Sequence, residues 1–166
     1  MTVLVLMGVS GCGKSTVAGV LAGRLGWDFG EGDDLHPPEN VAKMAAGHAL
    51  TDADRAPWLE RVAAWIHERT DSGHNGIITC SALKRGYRDV LRGDDVTFVL
   101  LDGTFDQIAT RLAARHGHYM PSSLLESQFE TLERPGADEN AITVDIGPAA
   151  SVQADEIMDR LHLDTR

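Results

Sequence analysis

Short runs that are apolar at nearly every position alternate along this chain with longer stretches in which apolar side chains recur every three or four residues. A run with no polar face has no side for water, so residues 3–7, 76–80 and 96–101 read as strands covered on both faces, with 3–7 at the centre of the sheet. Weaker runs at 27–31 and 142–146 bring the expected strands to five. Between them the spacing predicts a helix over about 14–25, with Val17, Val20, Leu21 and Leu25 on one face and Gly26 as its stop. Pro37 and Pro38 can open a short helix that runs through Met44 and ends near Gly47. Thr51 or Asp52 then caps a longer helix in which Trp58, Val62, Trp65 and Ile66 form a buried stripe, so both tryptophans are assigned to the core. Further helices are expected over 83–91, 104–114, up to about 133, and through 161. Strands alternating with helices predict an α/β chain: a three-layer α/β/α architecture around a five-stranded parallel sheet.

Size and charge narrow the picture. At 166 residues, without internal repeat or low-complexity linker, the chain is expected to form a single domain over residues 1–166. Fifteen basic against twenty-five acidic residues give a formal charge of −10, a field that repels nucleic acid. Any anion must therefore be held by local donors. The two cysteines, Cys12 and Cys80, stand in no metal-ligand spacing and suggest no disulfide framework. No basic region precedes the apolar run 3–7, which breaks at Gly8, and no run approaches the roughly 18 to 20 apolar residues of a membrane span. A cytoplasmic protein with no membrane partner is the expectation.

Candidate chemistry begins directly after the first strand. Gly8-Val9-Ser10-Gly11-Cys12-Gly13-Lys14-Ser15 matches the phosphate-loop pattern G-x-x-x-x-G-K-[ST] between a buried strand and a helix, with Thr16 continuing it. Its glycines let the backbone curl with amide donors inward, and the helix that follows presents its positive end. Lys14 is expected to reach the β- and γ-phosphates and Ser15 to ligate Mg²⁺. Cys12 is read as a small loop residue. ATP and Mg²⁺ are the implied cofactors.

A phosphate loop does not by itself name an activity. The chain has no Asn-Lys-x-Asp sequence, and no aspartate is followed by glycine three residues later, so the guanine-nucleotide signatures are missing. Acidic residues instead follow the second strand, in Glu31-Gly32-Asp33-Asp34. The acceptor-binding segment is placed at about 31–70, where acids, His36, Asn40, Lys43 and Arg55 accompany two prolines and a glycine. A polyol carrying a carboxylate needs donors, acceptors and a cation, and this mixture supplies all three.

Across nearly its whole length the chain resembles the gluconate kinases, of the nucleoside-monophosphate-kinase-like branch of P-loop proteins. The likeness rests on Gly32-Asp33-Asp34-Leu35-His36-Pro37, Asn40, Lys43-Met44, residues 52–59, Cys80-Ser81-Ala82-Leu83-Lys84, Tyr87-Arg88, Gln128-Phe129-Glu130-Thr131-Leu132 and Pro135-Gly136-Ala137-Asp138-Glu139. Glu31 departs from the aspartate that some relatives carry. The resemblance implies ATP-dependent phosphorylation of D-gluconate at its 6-hydroxyl, and a homodimer. Asp33 is the candidate to orient that hydroxyl and take its proton, with Glu31 as an indirect magnesium partner. Arg55 and Lys84 are candidates for the acceptor carboxylate or for developing charge, and the sequence does not separate them. His36, Asn40 and Lys43 are weaker candidates for sugar hydroxyls. A lid is implied at about 113–135, with Arg111 and Arg115 reaching the nucleotide from one helix face. The rival readings are a kinase of another small acceptor such as shikimate, against which the missing Gly-Gly-Gly run speaks, and an ATP-gated binding module without transfer.

Overall fold

The computed structural model describes residues 2–114 and 122–163. Five strands, β1 (Val3–Met7), β2 (Asp28–Glu31), β3 (Gly76–Thr79), β4 (Val96–Asp102) and β5 (Ala141–Asp145), form one parallel sheet in the order β2-β3-β1-β4-β5. The most apolar run lies in the middle, where Val5 pairs with Ile78 on one side and Phe98 on the other.

Seven helices among the described residues connect these strands: α1 (Lys14–Leu25), α2 (Pro38–Ala45), α3 (Asp52–Ser72), α4 (Arg85–Leu91), α5 (Phe105–Ala114), α6 (Ser122–Thr131) and α7 (Ala150–Arg160). Successive residues of a strand face opposite ways, so β1 divides its side chains between two cores. Leu4 and Leu6 pack with Val17 and Leu21 of α1 and Ile157 of α7. Val3, Val5 and Met7 pack with Trp58, Val62 and Ile66 of α3 on the opposite face. The three-layer α/β/α expectation is met.

Capping chemistry sets the helix boundaries. Thr51, rather than Asp52, caps α3: its hydroxyl accepts from the Asp54 amide at 3.1 Å while the Asp54 carboxylate accepts from the Thr51 amide at 2.8 Å. Thr104 and Gln107 exchange a similar pair of bonds, so Thr104 precedes α5 instead of opening it. The helix expected at 83 begins at Arg85, because the Leu83 carbonyl accepts from the Glu133 amide at 2.7 Å and Ala82 has a φ of 44°. Trp58 is buried as expected. Trp65 is only partly so and lies flat over the strand glycines Gly30 and Gly76, with the Arg69 guanidinium 4.1 Å from its ring centre.

One element has no counterpart in the sequence reading. Gly32–Leu35 forms a 3₁₀ turn directly after β2. A Cβ at Gly32 would lie 2.0 Å from the Thr79 carbonyl oxygen, so only glycine lets this turn press against the end of β3. That approach carries Asp33 to the carboxyl ends of the strands, where ligands of such sheets bind.

Candidate active site

The phosphate loop links β1 to α1 at the same edge. Gly13, at φ 98°, turns the chain into α1 in a conformation other residues rarely adopt. The Lys14 ammonium folds back on the loop and donates to the carbonyls of Gly8 at 3.0 Å and Val9 at 3.1 Å. Cys12 is fully buried, with its sulfur 3.9 Å from that ammonium, as a small packing residue would be.

Ser15 and the acidic end of β2 meet beside the loop. The Ser15 hydroxyl donates to Glu31 Oε2 at 2.9 Å, and the Thr79 hydroxyl donates to the same oxygen at 2.8 Å. Thr79 also accepts from the Gly32 amide at 3.2 Å, joining Glu31, the 3₁₀ turn and β3. Among the described residues no cluster of three His, Cys, Asp or Glu side chains could hold a metal alone. That donor set fits Mg²⁺, which keeps several waters and leans on phosphate oxygens, so one hydroxyl braced by a carboxylate suffices.

A cavity of about 440 Å³ opens next to the loop, and Ser10, Lys14, Asp33, His36, His48 and Arg55 contribute to its wall. Its apolar side is built from Val41 and Met44 of α2, Leu50, Leu83 and Leu124. His36 stacks on Trp58 at 4.1 Å between ring centres, and the Trp58 indole donates to the Gly32 carbonyl at 2.7 Å. Burial holds the His36 imidazole below its ordinary pKa; Asp33 opposes that effect and Arg55 adds to it. Arg55 donates to the Leu50 carbonyl at 2.6 Å and to the Tyr87 hydroxyl at 3.1 Å, which fixes its guanidinium at the cavity wall.

Three expected acceptor contacts are engaged elsewhere. Asn40 is buried and donates to His36 Nδ1 at 3.2 Å and to the Asp54 carbonyl at 2.8 Å. Lys43 pairs with Asp54 at 2.6 Å, and that bond, with help from Thr51, pulls the Asp54 carboxyl down to about 2. Lys84 pairs with Asp52 at 3.0 Å, which raises the ammonium's pKa. None of the three is part of the cavity wall.

A second cavity, of about 430 Å³, lies on the other side of the loop, against Gly11, Gly13, Thr16, Arg111 and the turn Gly147-Pro148. Arg111 donates to the Ile146 carbonyl at 2.6 Å, and the buried Gln153 donates to the Pro148 carbonyl at 2.9 Å. Arg115 and residues 116–121 of the expected lid lie outside the described residues. Sequence reasoning missed the 147–153 segment, although Gly-Pro after the last strand is a turn signal. It also gave no site role to His48 and Thr79, nor to Ser81 and Gln128, which it named only within motifs. Gln128 accepts from the Ser10 amide at 2.7 Å and donates to its hydroxyl at 3.1 Å.

Comparison with known proteins agrees with this geometry. A family model described as shikimate kinase matches residues 10–162. A gluconokinase of Gluconobacter oxydans (strain 621H) is 59% identical over 143 residues, covering 85% of this chain and 80% of that protein. The crystal structure of a gluconokinase from Sinorhizobium meliloti 1021 superposes with a TM-score of 0.82 at 43% identity, over 97% of this chain and 95% of that one. Shikimate kinase from Aquifex aeolicus vf5 superposes over 97% of this chain and 96% of its own, with a TM-score of 0.62, but at 16% identity, a likeness of fold alone. The chain therefore belongs to the gluconokinase family, on the P-loop fold that it shares with the shikimate kinases.

Proposed function

We propose that the protein transfers the γ-phosphoryl group of ATP to the 6-hydroxyl of D-gluconate, giving 6-phospho-D-gluconate and ADP. The observation that carries this reading is that Lys14, Asp33 and Arg55 line one cavity directly beside the phosphate loop. The nucleotide's base and ribose take the second cavity, under Arg111, and its phosphates follow the loop amides of residues 8–16 toward Lys14.

Phosphoryl transfer asks mainly for alignment and charge neutralisation. Asp33 orients the acceptor hydroxyl and takes its proton as the new oxygen–phosphorus bond forms and the bond from the γ-phosphorus to the β-phosphate oxygen breaks. The proton passes to solvent and ADP leaves with the electron pair. Lys14 exchanges the carbonyls of Gly8 and Val9 for phosphate oxygens. Ser15 would hold Mg²⁺, with Glu31 fixing the hydroxyl's orientation, and the ion when bound neutralises charge on the phosphates. Arg55, not Lys84, takes the gluconate carboxylate, because its guanidinium is at the cavity wall and is in no salt bridge among the described residues. Arg111 adds to the cationic surround, and the sequence assigns Arg115 to the same role.

A coupled ADP-release assay over sugar acids, shikimate and nucleoside monophosphates tests the proposal. Gluconate alone is expected to stimulate turnover; stimulation by shikimate instead, or by no acceptor, would refute it.

A further inference from the structure

Ser10 and Gly11 are consecutive in the chain, yet Ser10 lines the first cavity and Gly11 the second. The peptide unit between them therefore lies where the two cavities border each other. It is held from two helices, α5 and α6. On the nucleotide side, α5 packs so closely that a Cβ on Gly11 would lie 2.8 Å from Leu112 and 3.2 Å from Ile108. On the acceptor side, Gln128 of α6 makes its two bonds to Ser10, one to the amide and one to the hydroxyl. A backbone N–H can only donate, so the Gln128 oxygen must face it, and the orientation of the side-chain amide follows. The far end of α6 is tied down in turn, where the Glu133 amide donates to the Leu83 carbonyl at 2.7 Å.

We propose that Gln128 is a positioning residue for transfer: by holding Ser10 at two points it fixes the phosphate loop where it borders the acceptor cavity. The inference rests on the kinase reading above. A phosphate loop shifted by a fraction of an ångström still offers its amides to ATP, but the in-line approach of the acceptor is lost, and about 1 Å of misplacement can cost on the order of 100-fold in rate. Gln128 therefore acts on turnover more than on nucleotide affinity.

The test compares wild type, Gln128→Met, Ser10→Ala and the double variant in steady-state kinetics with gluconate and ATP. Methionine keeps the length of the side chain and removes both bonds. Gln128→Met is expected to lower kcat by about 10- to 100-fold with ATP KM changed by less than about 3-fold. The double variant should be little worse than Gln128→Met, because Ser10 and Gln128 act as one unit. Amide hydrogen exchange on the same proteins should show the Ser10 peptide exchanging faster in Gln128→Met while the sheet amides stay protected. Unchanged kcat and exchange would overturn the proposal. So would a rise confined to gluconate KM that simply adds to the Ser10→Ala effect, since Gln128 would then touch the acceptor directly. If Gln128→Met does not fold, Gln128→Asn, one methylene too short to make both bonds, is measured in its place with the same outcomes. Wild type inactive toward gluconate would instead sink the functional reading itself.

Discussion

The Ser15 hydroxyl at the start of α1 and the Glu31 carboxylate at the end of β2 are joined by a 2.9 Å hydrogen bond. A carboxylate that accepts from a ligating hydroxyl fixes its rotamer and increases its electron density toward a cation, and loss of such a partner typically costs about 10- to 100-fold in metal affinity. Glu31→Gln should accordingly raise the Mg²⁺ concentration needed for half-maximal activity by at least about 10-fold. Turnover at saturating Mg²⁺ should be largely restored. A Mg²⁺ titration identical to wild type would remove Glu31 from the metal's surroundings.

Asp33 carries the proposed proton-accepting role. A positioned general base is worth roughly 10²- to 10⁴-fold, so Asp33→Asn should lower kcat by that order. ATP binding, followed by calorimetry with a non-hydrolysable analogue, should change little because Lys14 and the loop amides are untouched. A kcat within about 3-fold of wild type would reassign the base.

Arg55 and Lys84 separate in a paired experiment. A hydrogen bond to a charged group contributes about 1.5 to 3 kcal/mol, so Arg55→Gln should raise gluconate KM by roughly 10- to 150-fold. Lys84→Gln, which breaks an exposed pair with Asp52 and a contact with the Tyr87 ring, should leave gluconate KM within about 3-fold. The reverse pattern would exchange their roles.

Acid stability follows from carboxylates with lowered pKa values, Glu139 and Asp54 among them. Hydrogen bonds from Arg88 hold Glu139 below its usual range, and Lys43 with Thr51 holds Asp54 at about 2. Folded values below the unfolded ones mean that this stabilisation is complete above the unfolded pKa values near 4 and is lost as pH falls toward 2. The melting temperature should therefore drop steeply below about pH 4, and less steeply in Asp54→Asn. At neutral pH, Glu139→Ala leaves the buried Arg88 guanidinium without its carboxylate, a loss of about 3 to 5 kcal/mol. For a chain of this size that corresponds to a fall of roughly 10 °C in thermal unfolding. A shift of less than about 2 °C would show that solvent reaches Arg88 in the folded state.

The parts of this molecule that were legible in its sequence are those encoded by neighbours along the chain. The phosphate loop is eight consecutive residues, the core strands are uninterrupted apolar runs, and the cap of α3 lies within four positions. The rest depends on residues that meet only after folding. The 3₁₀ turn that presents Asp33 depends on Gly32 abutting the Thr79 carbonyl, a contact of the turn with the end of β3 that no local pattern announces. Lys43, Arg55 and Lys84 look alike as cations in the sequence. They differ because Asp54 and Asp52 engage the two lysines, while Tyr87 and the Leu50 carbonyl steer the arginine. Gln128 was visible as part of a motif, but its bonds to Ser10 span 118 positions.

The inward fold of Lys14 has a consequence for which molecules can open the site. An ammonium already served by two carbonyl oxygens will leave them only for a stronger acceptor, and a multiply charged phosphate chain is one whereas an uncharged nucleoside is not. Adenosine should thus leave Lys14 on its two carbonyls, whereas a phosphate chain should draw it away.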